Sequence, residues 1–187
     1  MKKKFLLITG GTGGHVLPAE NLGNYLLEKK INCSILLDRR GYKYLNNFKG
    51  KVNLVESSNL NGGFLDKLFG LVRLFIGLIQ SICLIIYLKP NKVISFGSYA
   101  SFFPLLCCLI LKPFYRIEIF IHEQNSIFGR TNKFFLYFSK KILLNFPINS
   151  KIIKKYKNKT FIVGNPTNDQ KKIDRNKKNK LNQEFNI

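Results

Sequence analysis

The stretch KFLLITGGTGGHVLPAENLGNYLLEKK, residues 4–30, decides the architecture of this chain. It opens on an apolar run that ends in glycines, the pattern of a parallel β-strand buried on both faces. From Pro18 onward, Ala19, Leu22, Leu26 and Leu27 recur at helical spacing, with Pro18 suited to the first helical position. Between strand and helix stand Gly10, Gly11, Gly13, Gly14 and His15. A G-x-G-x-x-G fingerprint counted from Gly11 would need glycine where Val16 stands, and no lysine follows as a P-loop requires. The physical argument survives both failures. A glycine-rich turn at a helix N-terminus exposes unpaired N–H groups and leaves room for phosphate oxygens to approach. This predicts an anionic ligand at Gly10–His15. Because imidazole titrates near neutrality, His15 is a candidate general base or phosphate contact.

The same alternation continues along the chain. NCSILLD (32–38), KVISFGS (92–98), IEIFIHEQN (117–125), KKILLNF (140–146) and KTFIVGN (159–165) read as further strands. Strands separated by helical segments imply βαβ units, hence an α/β fold: a Rossmann-like parallel sheet with helices on both faces. Ligands of such sheets bind outside the carboxyl ends of the strands. The polar motifs fall there: Gly10–His15, Gly97–Ser101, His122–Asn125 and Gly164–Pro166. The domain is expected to span residues 1–166. Residues 167–187, polar and rich in Lys and Asn, read as a basic linker whose closing EFNI could begin another strand.

The 187 residues carry 31 Lys and Arg against 10 Asp and Glu, a formal net charge of +21. Such a field favours nucleic acid, anionic headgroups or phosphorylated substrates. Part of the lysine excess matches the abundance of Asn, Ile and Phe that an AT-rich genome produces. The basic residues form no recognisable nucleic-acid module, so nucleic acid is not the expected partner. None of the four cysteines forms a CxxC pair, which argues against a metal site, and three sit among leucines and isoleucines, which argues for buried thiols in a reducing compartment. The apolar run after MKKK is shorter than the core of a signal peptide and reads as the first strand of a cytoplasmic protein.

Residues Phe64–Leu88, FLDKLFGLVRLFIGLIQSICLIIYL, need a separate account. Asp66, Lys67, Gly70, Arg73, Gly77, Gln80 and Ser81 recur every three or four residues and make one narrow polar or small stripe on an otherwise apolar helix. The longest charge-free stretch, Leu74–Leu88, falls short of the roughly 20 residues that cross a bilayer. The pattern predicts a helix with one face on the sheet and another at a membrane interface, with Lys67 and Arg73 at the headgroups and Phe69, Phe75, Leu78 and Ile79 in the patch. A fully buried core helix is the competing reading. FFPLLCCLILKPFY, Phe102–Tyr115, could extend the same patch.

TGGTGGHVLPA, FGSYASFFPLL, IHEQNSIFGRTNK and VGNP occur in that order. Together they resemble the N-terminal domain of glycosyltransferase family 28, bacterial enzymes that transfer N-acetylglucosamine (GlcNAc) from UDP-GlcNAc to lipid I. The resemblance implies one half of a GT-B fold, inverting hexosyl transfer and the making of lipid II for peptidoglycan, with no cofactor and no metal. It places Thr12, Gly13, Gly14, Gly97, Tyr99, Ser101, His122, Glu123 and Gln124 around the acceptor diphosphate, with Asn125 on the donor side and His15 as catalytic base. The implied partners are an undecaprenyl-linked muramoyl-pentapeptide acceptor, the UDP-GlcNAc donor and the anionic inner-membrane surface, met peripherally on its cytoplasmic face. Where the family usually carries paired glycines, this chain has Gly97 followed by Ser98. The family's donor domain would follow residue 187, so this chain alone is expected to be inactive and could work with a separate donor subunit. A membrane subunit of a split UDP-GlcNAc transferase and a non-catalytic protein that binds anionic lipid are the alternatives.

Overall fold

The structure, a computed structural model, describes residues 3–58 and 63–167. Strand β1 (Lys4–Ile8) shows how the alternating side chains of a strand build two cores. Leu6 and Ile8 point into one core with Leu36, Val93, Ile119 and Ile121, while Leu7 packs on the other side with Ile35, Ile94 and Phe96. Fully burying each such side chain contributes about 1.5–3 kcal/mol, so both faces of the strand are committed to packing.

Around β1 a seven-stranded sheet runs in the order β3-β2-β1-β4-β5-β6-β7, with every neighbouring pair parallel. The other strands are β2 (Asn32–Leu37), β3 (Lys51–Leu54), β4 (Lys92–Ser95), β5 (Glu118–Glu123), β6 (Lys141–Leu144) and β7 (Thr160–Ile162). Helix α1 (Gly13–Glu28) covers one face through Val16, Ala19 and Leu26. Helices α3 (Phe64–Leu88) and α4 (Phe102–Tyr115) pack on the opposite face, with short α2 (Arg39–Tyr42), α5 (Arg130–Phe135) and α6 (Lys151–Lys155) between strands. The α/β reading therefore holds, with helices on both faces. The order turns back at β1, which lies between β2 and β4, so the loops leaving β1 and β4 diverge and open a crevice.

Three details differ from the sequence reading. Strand β3 was not anticipated; it is four residues at the sheet edge, with only Asn53 buried. Helix α1 begins at Gly13 rather than Pro18, because Gly10, Gly11 and the extended Thr12 (φ −127°, ψ 160°) complete the turn and Pro18 is carried inside the helix. Of the four thiols, Cys33, Cys107 and Cys108 are buried and Cys83 is exposed. Burial pushes Cys33 up to about 12 and Cys107 to about 11, which keeps both thiols protonated. The linker assigned to 167–187 lies outside the described residues, apart from Thr167.

Candidate active site

The turn after β1 is held from below by Asp38, the residue that follows β2. One carboxylate oxygen, Oδ1, accepts from the Gly11 amide and the Gly41 amide, each at 2.9 Å. The other, Oδ2, accepts from Ser57 Oγ at 2.9 Å and pairs with Arg40 Nε at 3.0 Å. Burial pushes the carboxyl up, but these four donors outweigh it and hold Asp38 below its ordinary value. Gly10 fits so closely that a Cβ there would stand 2.7 Å from Asp38 Oδ1 and 2.9 Å from Ala100 Cβ. Gly11 adopts φ +75°, in the left-handed region that favours glycine. Gly13 and Gly14 then open α1, where the helix dipole is positive, and the His15 amide already donates to the Thr12 carbonyl at 3.1 Å.

The loop after β4 faces this turn. Gly97 (φ +87°) donates its amide to Ser95 Oγ at 3.1 Å and accepts through its carbonyl from Ser101 Oγ. Ser98 takes φ +82°, ψ 154°, backbone geometry that a side chain strains. Its hydroxyl partly compensates by accepting from the Ala100 amide at 3.4 Å.

The loop after β5 supplies the third wall. Glu123 is fully buried and forms no ion pair among the described residues; its carboxylate accepts from the Asn125 amide (3.2 Å), Asn125 Nδ2 (3.0 Å), the Gly129 amide (3.0 Å) and Asn132 Nδ2 (3.0 Å). It therefore ties residues 125–132 into one shape. Asn132 Nδ2 also donates to the His122 carbonyl at 3.1 Å. His15 Nδ1 lies 2.9 Å from Gln124 Oε1, Gln124 Nε2 lies 2.9 Å from His122 Nδ1, and His122 Nε2 lies 3.1 Å from the Gly164 carbonyl. Asn21 of α1 donates to the Pro166 carbonyl at 3.1 Å, which brings the GNP motif to the same edge.

These loops enclose a cavity of about 460 Å³ lined by Gly11, Thr12, His15, Gly97, Tyr99, Glu123 and Asn125, all in the sequence-predicted motifs. Gly13, Gly14, Ser101, His122 and Gln124 do not line it. Gly13 backs onto the Tyr44 ring, Ser101 is sealed under its loop, and His122 and Gln124 lie buried behind His15. Arg40, Ser98, Gly129, Arg130, Thr131 and Asn132 also line the cavity; the sequence reading named none of them as a site residue, noting Ser98 only as the replacement of a glycine and residues 129–132 only as part of a motif. The Arg40 and Arg130 guanidinium groups suit a diphosphate, to which each can donate bidentately. Among the described residues, no three His, Cys, Asp or Glu side chains converge as metal ligands would.

Helix α3 turns the small members of its stripe inward, while Asp66, Lys67 and Arg73 of that stripe stay exposed. Gly70, Gly77, Ser81 and Ile85 are its buried residues, and a Cβ on Gly77 would reach within 2.0 Å of the Glu56 carbonyl oxygen. Gln80 accepts the Glu56 amide at 2.7 Å. Phe64, Leu65, Phe69, Phe75, Ile79 and Tyr87 face outward, alongside Lys67 and Arg73. The fully buried core helix is thereby excluded. Leu78 departs from the predicted patch: it packs against the core, and its carbonyl faces Cys107. On α4, Pro104, Leu105, Cys107 and Cys108 are buried, so only its far end, with Ile110 and Phe114, extends the apolar surface.

The glycosyltransferase family 28 N-terminal domain matches residues 5–144. Proteins named UDP-N-acetylglucosamine–N-acetylmuramyl-(pentapeptide) pyrophosphoryl-undecaprenol N-acetylglucosamine transferase are similar to it. That of Rickettsia bellii is 34% identical over 166 residues, covering 87% of this chain and 44% of its own. That of Protochlamydia amoebophila is 35% identical over 178 residues, covering 93% and 46%. The chain thus spans less than half the length of these relatives. The fold matches the crystal structure of Acinetobacter baumannii MurG with TM-score 0.67 at 23% identity, over 87% of this chain and 44% of that one. It also matches the S. aureus MnaA–UDP co-structure with TM-score 0.59 at 14% identity, over 88% and 44%.

Proposed function

The chain belongs to glycosyltransferase family 28, and on that premise we propose that it forms the acceptor-binding half of an inverting GlcNAc transferase. The acceptor is an undecaprenyl-diphosphate-linked muramoyl-pentapeptide and the donor UDP-GlcNAc, the substrates that the names of its relatives state for those enzymes. One observation carries this reading: a dipole-positive helix start and a half-buried imidazole open together into a cavity that also holds two arginines. The positive end of the α1 dipole, with Arg40 and Arg130, suits the acceptor diphosphate. His15 Nε2 takes the proton from the acceptor hydroxyl as that oxygen attacks the anomeric carbon. The bond from that carbon to UDP breaks, its electron pair leaves with the diphosphate, and configuration inverts. Asn125 is exposed at the rim, where it can reach a donor held across the cleft.

The outer face of α3 supports a peripheral seat on the cytoplasmic surface of the inner membrane. By length and composition α3 could cross a bilayer, but it connects β3 and β4, two parallel strands of the same sheet. A span would separate strands that belong together. Gly77 and Gln80 pack against Glu56, just past the C-terminal end of β3. The residues of α3 before Gly77, at 1.5 Å each, therefore extend roughly 20 Å beyond that strand on the edge that carries the site. This apolar overhang, flanked by Lys67 and Arg73, suits insertion at the headgroups close to where a polyprenyl acceptor is presented.

The test joins this chain to the C-terminal half of the Rickettsia bellii relative and measures GlcNAc transfer to a lipid I analogue. His15→Ala is expected to lower turnover about 100-fold or more, with little change in melting temperature. Equal losses of stability and activity would return His15 to a packing role. The 187-residue chain alone is expected to bind the analogue without transferring sugar.

A further inference from the structure

The three groups behind His15 form a directional chain. The Gly164 carbonyl can only accept, so His122 Nε2, 3.1 Å away, must carry a proton. In the neutral ring, Nδ1 is then bare. Gln124 Nε2 stands 2.9 Å from that nitrogen and 3.2 Å from the His122 carbonyl, two acceptors that together require the NH2 end of the amide there. Gln124 Oε1 is thereby turned toward His15 Nδ1 at 2.9 Å, and an amide oxygen accepts, so Nδ1 must be the protonated nitrogen. The remaining nitrogen of His15, Nε2, is left with a free lone pair. The residue beside the cavity is His15, whereas Gln124 and His122 are buried at 8% and 2% exposure.

We propose that Gln124 and His122 are positioning residues that fix His15 in its Nδ1–H tautomer, with the Gly164 carbonyl as the anchor of the relay. The functional consequence rests on the reading of His15 as the base, since only that tautomer offers Nε2 as a proton acceptor. Free histidine prefers the opposite tautomer, so without the relay the cavity would face an N–H group. The GNP motif gains a physical task, because the left-handed backbone of Gly164 (φ +77°) aims its carbonyl at His122 across 42 residues of sequence. The relay also requires a neutral His122: a second proton, on Nδ1, would oppose the Gln124 NH2 and force the amide to turn over. The surroundings of His122 are the Phe96 ring, 5.1 Å away, the neighbouring Glu123 carboxylate, and His15 through Gln124.

The chain has only two histidines, so ¹⁵N NMR of the labelled 187-residue protein at pH 8 resolves both rings. The expected spectrum shows opposite tautomers, Nδ1–H for His15 and Nε2–H for His122. Gln124→Ala is expected to return His15 mainly to Nε2–H while His122 stays as it was. Gln124→Glu, which keeps an acceptor for His15, is expected to restore Nδ1–H. Two outcomes overturn the proposal: Nε2–H on His15 in the unmodified protein, which needs no variant to observe, or a His15 tautomer indifferent to Gln124→Ala. In the joined enzyme, Gln124→Ala is expected to lower kcat about tenfold or more with KM little changed, and Gln124→Glu to recover part of it. Opposite tautomers in a protein whose His15→Ala variant still transfers sugar would keep the relay and remove the catalytic reading.

Discussion

Asp38 Oδ1 accepts the Gly11 amide at 2.9 Å across 27 residues, which joins the end of β2 to the turn that follows β1. The same carboxylate holds Gly41, Ser57 and Arg40. One buried anion thus shapes the glycine turn and aims an arginine that lines the cavity. Asp38→Asn leaves an NH2 group facing a donor, and the expected cost is about 1–3 kcal/mol in chemical denaturation. Because its pKa is lowered in the fold, Asp38 adds stability above its unfolded value of about 3.9, and this is lost as pH falls through the lower folded value. The variant is expected to lose that part of the acid dependence. An unchanged acid limb would show that Asp38 is not held as an anion.

Ser98 occupies a backbone conformation (φ +82°) that suits the glycine expected there by family resemblance. Ser98→Gly is expected to relieve about 1 kcal/mol of strain, less the weak bond to Ala100, and to raise the melting temperature by a few degrees. A Cβ on Gly11 would meet Ser98 Oγ at 2.8 Å, so the variant also loosens the packing between the two loops. Ligand affinity is expected to fall while stability rises. A drop in melting temperature would mean that the Ala100 bond outweighs the strain.

What could be read directly from the chain was local. The apolar run of β1, its glycines and the 25-residue limits of α3 follow from period and punctuation, and the motifs at strand ends follow from the rule for parallel sheets. Strand β3 escaped notice because Lys51–Leu54 has four residues and buries one of them. The start of α1 was misplaced because Gly13 and Gly14, weak helix formers, are held helical by the turn before them. Asp38, Asn132 and the partnership of Gln124 with His15 were hidden for another reason. They rest on contacts across 27, 9 and 109 residues, which exist only once the strand order is known. The stripe on α3 was visible, but which side of it faced the protein was decided by Glu56, whose backbone leaves room only for glycine at 77.

The two faces of α3 are expected to separate stability from membrane affinity. Gly77→Ala places a methyl group against the Glu56 carbonyl and is expected to destabilise by about 1–3 kcal/mol. Phe69 and Phe75 are 67% and 62% exposed, so replacing both with Glu is expected to change stability by no more than about 0.5 kcal/mol per site. The same double variant is expected to lose most of its co-sedimentation with anionic vesicles, since it removes the apolar anchor and adds repelling charge. Undiminished vesicle binding would place the membrane contact elsewhere.

His122 provides a pH test of the fold around the relay. Burial lowers its pKa below the ordinary 6.5, against the raising effects of the Gly164 bond and the Glu123 charge. The unfolded chain therefore gains a proton at this residue as pH falls below about 6.5, while the folded chain does not. The contribution of His122 to stability is complete above that value and is lost as pH falls toward the folded pKa. Denaturation midpoints measured from pH 8 to pH 5 are expected to decline below pH 6.5, and His122→Gln is expected to flatten the decline while lowering stability at pH 8 by about 1–3 kcal/mol through lost hydrogen bonds. A variant that declines as steeply as the parent would show that His122 gains its proton as readily in the folded chain as in the unfolded one. The Gln124 amide would then have to turn over in mildly acidic solution, and His15 would lose its bare Nε2 there.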